Sequence, residues 1–147
     1  MSISSPERTK TPAPAGVFAL VITGAPYSSQ APQTALHFAR AALAANKRID
    51  RIFLYGDGVY LASSLNVPPS DELNLSEAWA GFLTDNNIPG IACIASALRR
   101  GLVNESEMQR YELSASNLRA PFEIAGLGEW VDSTASESRV LYFHKGS

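Results

Sequence analysis

The stretch "VFALVITGAP", residues 17–26, decides how the rest of the chain is read. A strand with one wet face alternates apolar and polar side chains, whereas a strand buried on both faces reads as an unbroken apolar run closed by turn residues. "VFALVIT" is such a run, and "GAP" closes it. The runs "RIFLY" (51–55), "GIACI" (90–94), "FEIAG" (122–126) and "RVLYF" (139–143) have the same character, which makes five predicted strands.

Between them the apolar period lengthens. "PQTALHFARAALAAN" (32–46) places Leu36, Ala39, Ala42 and Leu43 on one helical face, and "LSEAWAGFLTDNN" (75–87) does the same with Ala78, Trp79, Phe82 and Leu83. Strands alternating with helices predict an α/β fold of three layers: a mostly parallel five-stranded sheet with helices on both faces, right-handed crossovers and flavodoxin-like topology. No internal repeat interrupts this order.

In an open parallel sheet the loops that follow the carboxyl ends of strands gather along one edge, and ligands bind there. Three loops qualify: "GAPYSSQ" after strand one, "GDGVY" after strand two, and the segment containing Cys93 at the exit of strand three. Tyr27, Gln30, Tyr55, Tyr60 and Ser96 are therefore candidates to line a pocket around Cys93.

Cys93 is the only cysteine in the chain. A thiol reacts as thiolate, which is favoured where free N–H groups at a helix start point toward the sulfur. A short helix over residues 95–100, stopped by Gly101, is predicted to begin just after it. The competing reading is an inert small hydrophobe in an apolar strand, the commoner fate of free cysteine. On residue grounds both stand. Arg99 and Arg100 fall about 9 Å further along the helix axis, where cations commonly just offset the helix dipole, although they could also meet a partner's acidic patch.

The remaining candidates read as structural. "GAPYSSQ" offers N–H groups for a phosphate but lacks the Lys-Ser/Thr ending of a P-loop and the spaced glycines of a dinucleotide fingerprint. Ser28 and Ser29 sit in no nucleophile elbow. Asp57 between two glycines is a turn signature, and a carboxylate beside the sulfur would oppose thiolate formation. His37 falls on the apolar side of the first helix, and His144 in a solvated terminus. With two distant histidines no metal site is expected, nor any organic cofactor. Trp79 and Phe82 read as core or as an interface between subunits.

The chain has 147 residues, 46% hydrophobic and 18% charged, with net charge −2, as an ordinary globular domain has. So mild a charge draws it neither to nucleic acid nor to anionic lipid. A lone cysteine excludes an internal disulfide and a cysteine-based zinc cluster and fits a reducing compartment. Without a long apolar span or a signal-peptide pattern, a cytoplasmic protein is expected, contacting neither membrane nor nucleic acid directly. "NES" at Asn104 then has no meaning as a glycosylation acceptor. Residues 1–16, "MSISSPERTKTPAPAG", carry three prolines and no apolar period and are expected to be a flexible tail.

The stretches "VITGAPYSSQAPQTALHFARAAL", "IFLYGDGVYLAS", "IACIASALRRGLVNESE", "SASNL" and "GLGEW", in this order and spacing, resemble the DsrE-like sulfur-relay family over residues 17–143, and its TusD branch most of all. The resemblance implies a single DsrE-like domain over 17–147 and a sulfurtransferase. The family cysteine, matched here by Cys93, accepts sulfane sulfur as a persulfide and passes it on, in the TusD branch toward 2-thiouridine at the wobble position of certain tRNAs. It also implies TusC-like and TusB-like partner subunits in a dimer of heterotrimers, a TusA-like donor and a TusE-like acceptor. In the DsrE branch related complexes serve dissimilatory sulfur oxidation, an alternative that stands beside a flavodoxin-like nucleotide or flavin binder and a scaffold with an idle thiol. Some family members carry a second cysteine before the last strand, where this chain reads "STASESRVLYF" with none. Sulfur on Cys93 would thus have to leave to another polypeptide.

Overall fold

The computed structural model describes residues 16–133 and 137–144, so the tail expected over 1–16 lies outside the described residues except for Gly16. The elements run β1 (Val17–Ile22), α1 (Ala31–Ala44), β2 (Arg48–Leu54), a 3-10 helix (Gly56–Ala62), α2 (Leu75–Asn86), β3 (Gly90–Cys93), α3 (Ile94–Arg99), α4 (Glu105–Arg110), β4 (Glu123–Ala125), α5 (Leu127–Ser133) and β5 (Arg139–Phe143). All five apolar runs are strands. They form one sheet in the order β4-β3-β2-β1-β5, and every neighbouring pair is parallel.

That order differs from the flavodoxin-like 2-1-3-4-5 arrangement expected from the alternation alone. Handedness explains which helix covers which face. From β1 to β4 the chain steps along the sheet in one direction, and right-handed crossovers keep the connecting helices on one side. The return from β4 to β5, beyond β1, reverses direction and belongs on the opposite side. The packing agrees: side chains of α1, α2 and α3 join one core with Leu20, Ile22, Ile52, Leu54 and Ala92, while Trp130 of α5 joins a separate cluster with Ala19, Val21, Phe53, Ile91 and Cys93. The sheet is thus covered unequally, thickly on the α1 and α2 face and thinly on the α5 face.

α1 presses Ala35, Leu36, Ala39 and Ala42 onto the sheet, small side chains that let the helix approach closely; His37 lies on its exposed side, not on the apolar side expected. α2 starts at Asn74, whose side chain accepts a hydrogen bond from Glu77 N at 3.1 Å, and ends at Asn87 in the left-handed region (φ 55°). Trp79 is fully buried and packs edge-on against Phe82, so this face belongs to the core of the chain and is not free to be shared with another subunit. Among the described residues no helix is long and apolar enough to cross a membrane.

The loops after β1 and β2 meet closely. Tyr55 N donates to Ile22 O at 3.0 Å, and the 3-10 helix then turns against the end of β1 so tightly that a Cβ on Gly58 would stand 2.0 Å from Ile22 O. That neighbour is backbone and cannot rotate aside. Gly58→Ala is therefore expected to lower stability by about 1–3 kcal/mol, read as a fall in the midpoint of urea unfolding.

Candidate functional site

β3 is four residues long, and all four are buried. Side chains alternate across a strand, so Ile91 and Cys93 share one face and Ala92 takes the other. Cys93 ends the strand and stands at the N-cap of α3, at the carboxyl edge of the sheet, where the exit of strand three was expected. Its side chain, however, faces the thinly covered side and belongs to the apolar cluster that extends through Ile91 and Phe53 to Val21, Ala19 and Trp130, with Ala125 of β4 paired to Cys93. Cys93 is only 4% exposed. The open, reachable sulfur that the edge position suggests is therefore not what this single chain presents. Strand parity turns it toward that face and into its apolar cluster.

The expected pocket residues divide between the two sides of the sheet. Tyr27 takes a left-handed backbone (φ 72°); its hydroxyl donates to Leu73 O at 2.6 Å and accepts from Leu75 N at 2.9 Å, tying the loop after β1 to the start of α2. Gln30 is the N-cap of α1 without a side-chain cap bond, and Ser29 Oγ accepts from Ala31 N at 3.0 Å instead. Tyr27 and Gln30 line a hollow of about 630 Å³ with Gln33, Glu72 and Leu75. Tyr27 also borders a second hollow of about 410 Å³, with Asp57, Tyr60 and Asn66. These hollows lie by the starts of α1 and α2, and neither is lined by Cys93.

Ser96 is buried, and its hydroxyl accepts from Gly56 N at 3.0 Å, which fastens α3 to the loop after β2. Arg100 reinforces that joint by donating from Nε to Asp57 Oδ1 at 2.9 Å and from Nη1 to Ser96 O at 3.1 Å. Asp57 is thus engaged with a cation. Arg99 stays exposed.

Of the expected pocket residues, Tyr55 alone reaches the side that Cys93 faces. Its ring stacks on Phe53 (centroids 6.3 Å apart, 28° between planes), and Phe53 stacks in turn on Trp130 (4.7 Å, 19°). A hollow of about 480 Å³ opens beside these rings, lined by Val21, Thr23, Phe53, Tyr55, Leu127, Trp130, Tyr142 and His144. Tyr142 stacks on His144 at 5.6 Å, and His144 Nδ1 lies 3.1 Å from Thr23 Oγ1, so this histidine, expected to be simply solvated, helps to build the hollow. Trp130, Phe53, Tyr142 and His144 were not among the residues predicted to surround the cysteine. The available signal was "GLGEW", a glycine-containing segment that ends in a tryptophan.

Chemically the arrangement offers one thiol, a tightly packed apolar wall around it, and an aromatic hollow next door. Among the described residues no group of three or more His, Cys, Asp or Glu side chains is placed to hold a metal ion.

Residues 16–143 match the family described as DsrE/DsrF-like. The chain is also similar to a solved structure titled as the crystal structure of the ychN protein from E. coli, at 27% identity, with 87% of this chain and 98% of that chain covered and a TM-score of 0.68.

Proposed function

The chain belongs to the DsrE/DsrF-like family, and from that premise we propose that it is a sulfurtransferase subunit carrying sulfane sulfur as a persulfide on Cys93. The observation that carries this reading is the place of the chain's only cysteine: the last residue of a central strand, at the carboxyl edge of a parallel sheet. The Cys93 thiolate attacks the outer sulfur of a donor persulfide, R–S–SH. The S–S bond to Cys93 forms as the donor's S–S bond breaks, the donor leaves as R–S⁻, and Cys93–S–SH remains. An acceptor thiolate then takes the outer sulfur and Cys93 returns to thiolate, with no net oxidation. No second cysteine exists to resolve the persulfide within the chain, so the acceptor is another polypeptide.

In the finer form of the proposal the protein is TusD-like and cytoplasmic, works with TusC-like and TusB-like subunits, receives sulfur from a TusA-like donor and passes it to a TusE-like acceptor for 2-thiolation of tRNA wobble uridine. The matched stretches support that branch. Intact-mass measurement after incubation with a cysteine desulfurase, cysteine and a carrier protein tests the chemistry: a gain of one sulfur atom is expected, and an unchanged mass counts against it.

A second reading, a scaffold with an idle thiol, is favoured by the 4% exposure of Cys93 and its apolar neighbours. The two part in the cell. If Cys93→Ala fully restores thiolated tRNA to a strain lacking the protein, the idle-thiol reading holds; if thiolation stays absent, the relay reading does.

A further inference from the structure

The loop that joins the 3-10 helix to α2 is held firmly, yet it turns apolar side chains to water. Ser64 N donates to Asn117 O at 2.7 Å, Asn66 Nδ2 to Tyr60 O at 3.1 Å and Asn74 Nδ2 to Asn66 O at 3.1 Å, while the Tyr27 hydroxyl holds Leu73 O. Pro68 and Pro69 stiffen its backbone further, and Glu72 N closes a turn on Pro69 O at 2.9 Å. On this ordered loop Leu65 is 69% exposed and Val67 89%. Asp71 and Glu72, also exposed, make the loop acidic, and neither carboxylate has an ion-pair partner among the described residues.

Beside the loop lies its complement. Leu65 also lines a hollow of about 680 Å³ whose other apolar walls come from α3 and the segments flanking α4, through Leu98, Val103, Tyr111 and Leu113. Arg99 is the one charged residue among the described residues lining it, and its guanidinium has no ion-pair partner among them. One patch of surface thus holds an apolar projection with negative charge next to an apolar recess with positive charge. A twofold axis between two copies sets the projection of each against the recess of the other, the self-complementarity that an isologous interface requires. We propose that the chain self-associates through this patch as a symmetric dimer, in which Val67 enters the partner's hollow and Asp71 and Glu72 meet the partner's Arg99. A foreign protein would have to supply both features, and a second copy already has them. The preformed loop lowers the ordering entropy that docking costs, apolar contact in the recess supplies attraction, and the charges fix the register. Self-association of this kind is independent of whether Cys93 carries sulfur, so the failure of either leaves the other standing.

Sedimentation equilibrium over micromolar to submillimolar protein reads the outcome. The wild-type chain is expected to move from 15.8 kDa toward twice that mass as concentration rises. Arg99→Glu alone, and Asp71→Lys together with Glu72→Lys, should each weaken the dimer about tenfold or more, because both contacts of each homodimer then set like charges together. An equimolar mixture of the two variants should dimerise as the wild type does, since the mixed pair restores opposite charge at one contact and keeps the natural pair at the other. Val67→Ser should weaken association without reversing any charge. These positions are all exposed, so the midpoints of urea unfolding should hardly move. A wild-type chain that stays at 15.8 kDa throughout overturns the dimer and leaves the patch to a different protein. A dimer that the charge reversals leave intact, or variants that do not recover on mixing, overturn it as well.

Discussion

Cys93→Ser gains no sulfur when incubated with a desulfurase, cysteine and a carrier protein, under conditions in which the wild-type chain gains one sulfur atom. The expected loss is complete. A serine oxygen cannot take the place of sulfur as the acceptor of a stable persulfide, and no other cysteine exists to act as a substitute. The substitution must also be separated from simple damage. Cys93 is 4% exposed and belongs to an apolar cluster with Ile91 and Phe53, so a hydroxyl there is buried among apolar side chains and costs roughly 1–3 kcal/mol if it finds no partner. Cys93→Ala removes that penalty, leaving only a small gap, and should match the wild type more closely in urea unfolding while being equally unable to hold sulfur. Labelled sulfur retained by a folded Cys93→Ala protein would remove Cys93 from the chemistry altogether.

The sheet was legible in the sequence because burial on both faces imposes a pattern that little else produces: "VFALVI" and its four counterparts became β1 to β5. The helices α1 and α2 were legible for the same reason at the longer period. What periodicity leaves open is which of two faces a residue takes and in what order strands lie side by side. Cys93 illustrates the first. One residue earlier, Ala92 points into the main core; at Cys93 the side chain points to the α5 face, and no local signal separates these outcomes before the sheet's neighbours are known. The strand order illustrates the second, since the return of the chain past β1 depends on contacts far apart in sequence. Tyr27 and Gln30 were rightly placed on the carboxyl edge but on the wrong side of it for the cysteine, because the loop after β1 turns toward α2 through the Tyr27 hydroxyl. Trp130 went unrecognised because a seven-residue helix with one buried side chain has almost no periodicity to read.

Trp79→Ala should be the most destabilising of these substitutions, at about 3–5 kcal/mol. The indole is fully buried on the thickly covered face, edge-on to Phe82 with ring centroids 5.6 Å apart, and its Nε1 donates to Pro32 O at 2.9 Å. Pro32 lies in the first turn of α1, so this one side chain ties the start of α1 to the body of α2. Truncation leaves a cavity and a buried carbonyl that has lost its donor, two losses that add. Trp79→Phe restores much of the volume but not the donor, so the gap between the two variants in urea unfolding reads the lost packing, and the smaller gap between Trp79→Phe and the wild type reads mainly the bond, at roughly 1 kcal/mol. The substitution also discriminates between the two faces of the sheet. Trp79 and Cys93 belong to separate clusters, so if the sulfur is reached by local opening of the α5 face, Trp79→Phe lowers global stability while leaving the rate at which iodoacetamide alkylates Cys93 in the absence of denaturant where it was. A rate that rose in step with the lost stability would instead mean that the sulfur is reached only when the whole chain unfolds, which a relay between proteins cannot use.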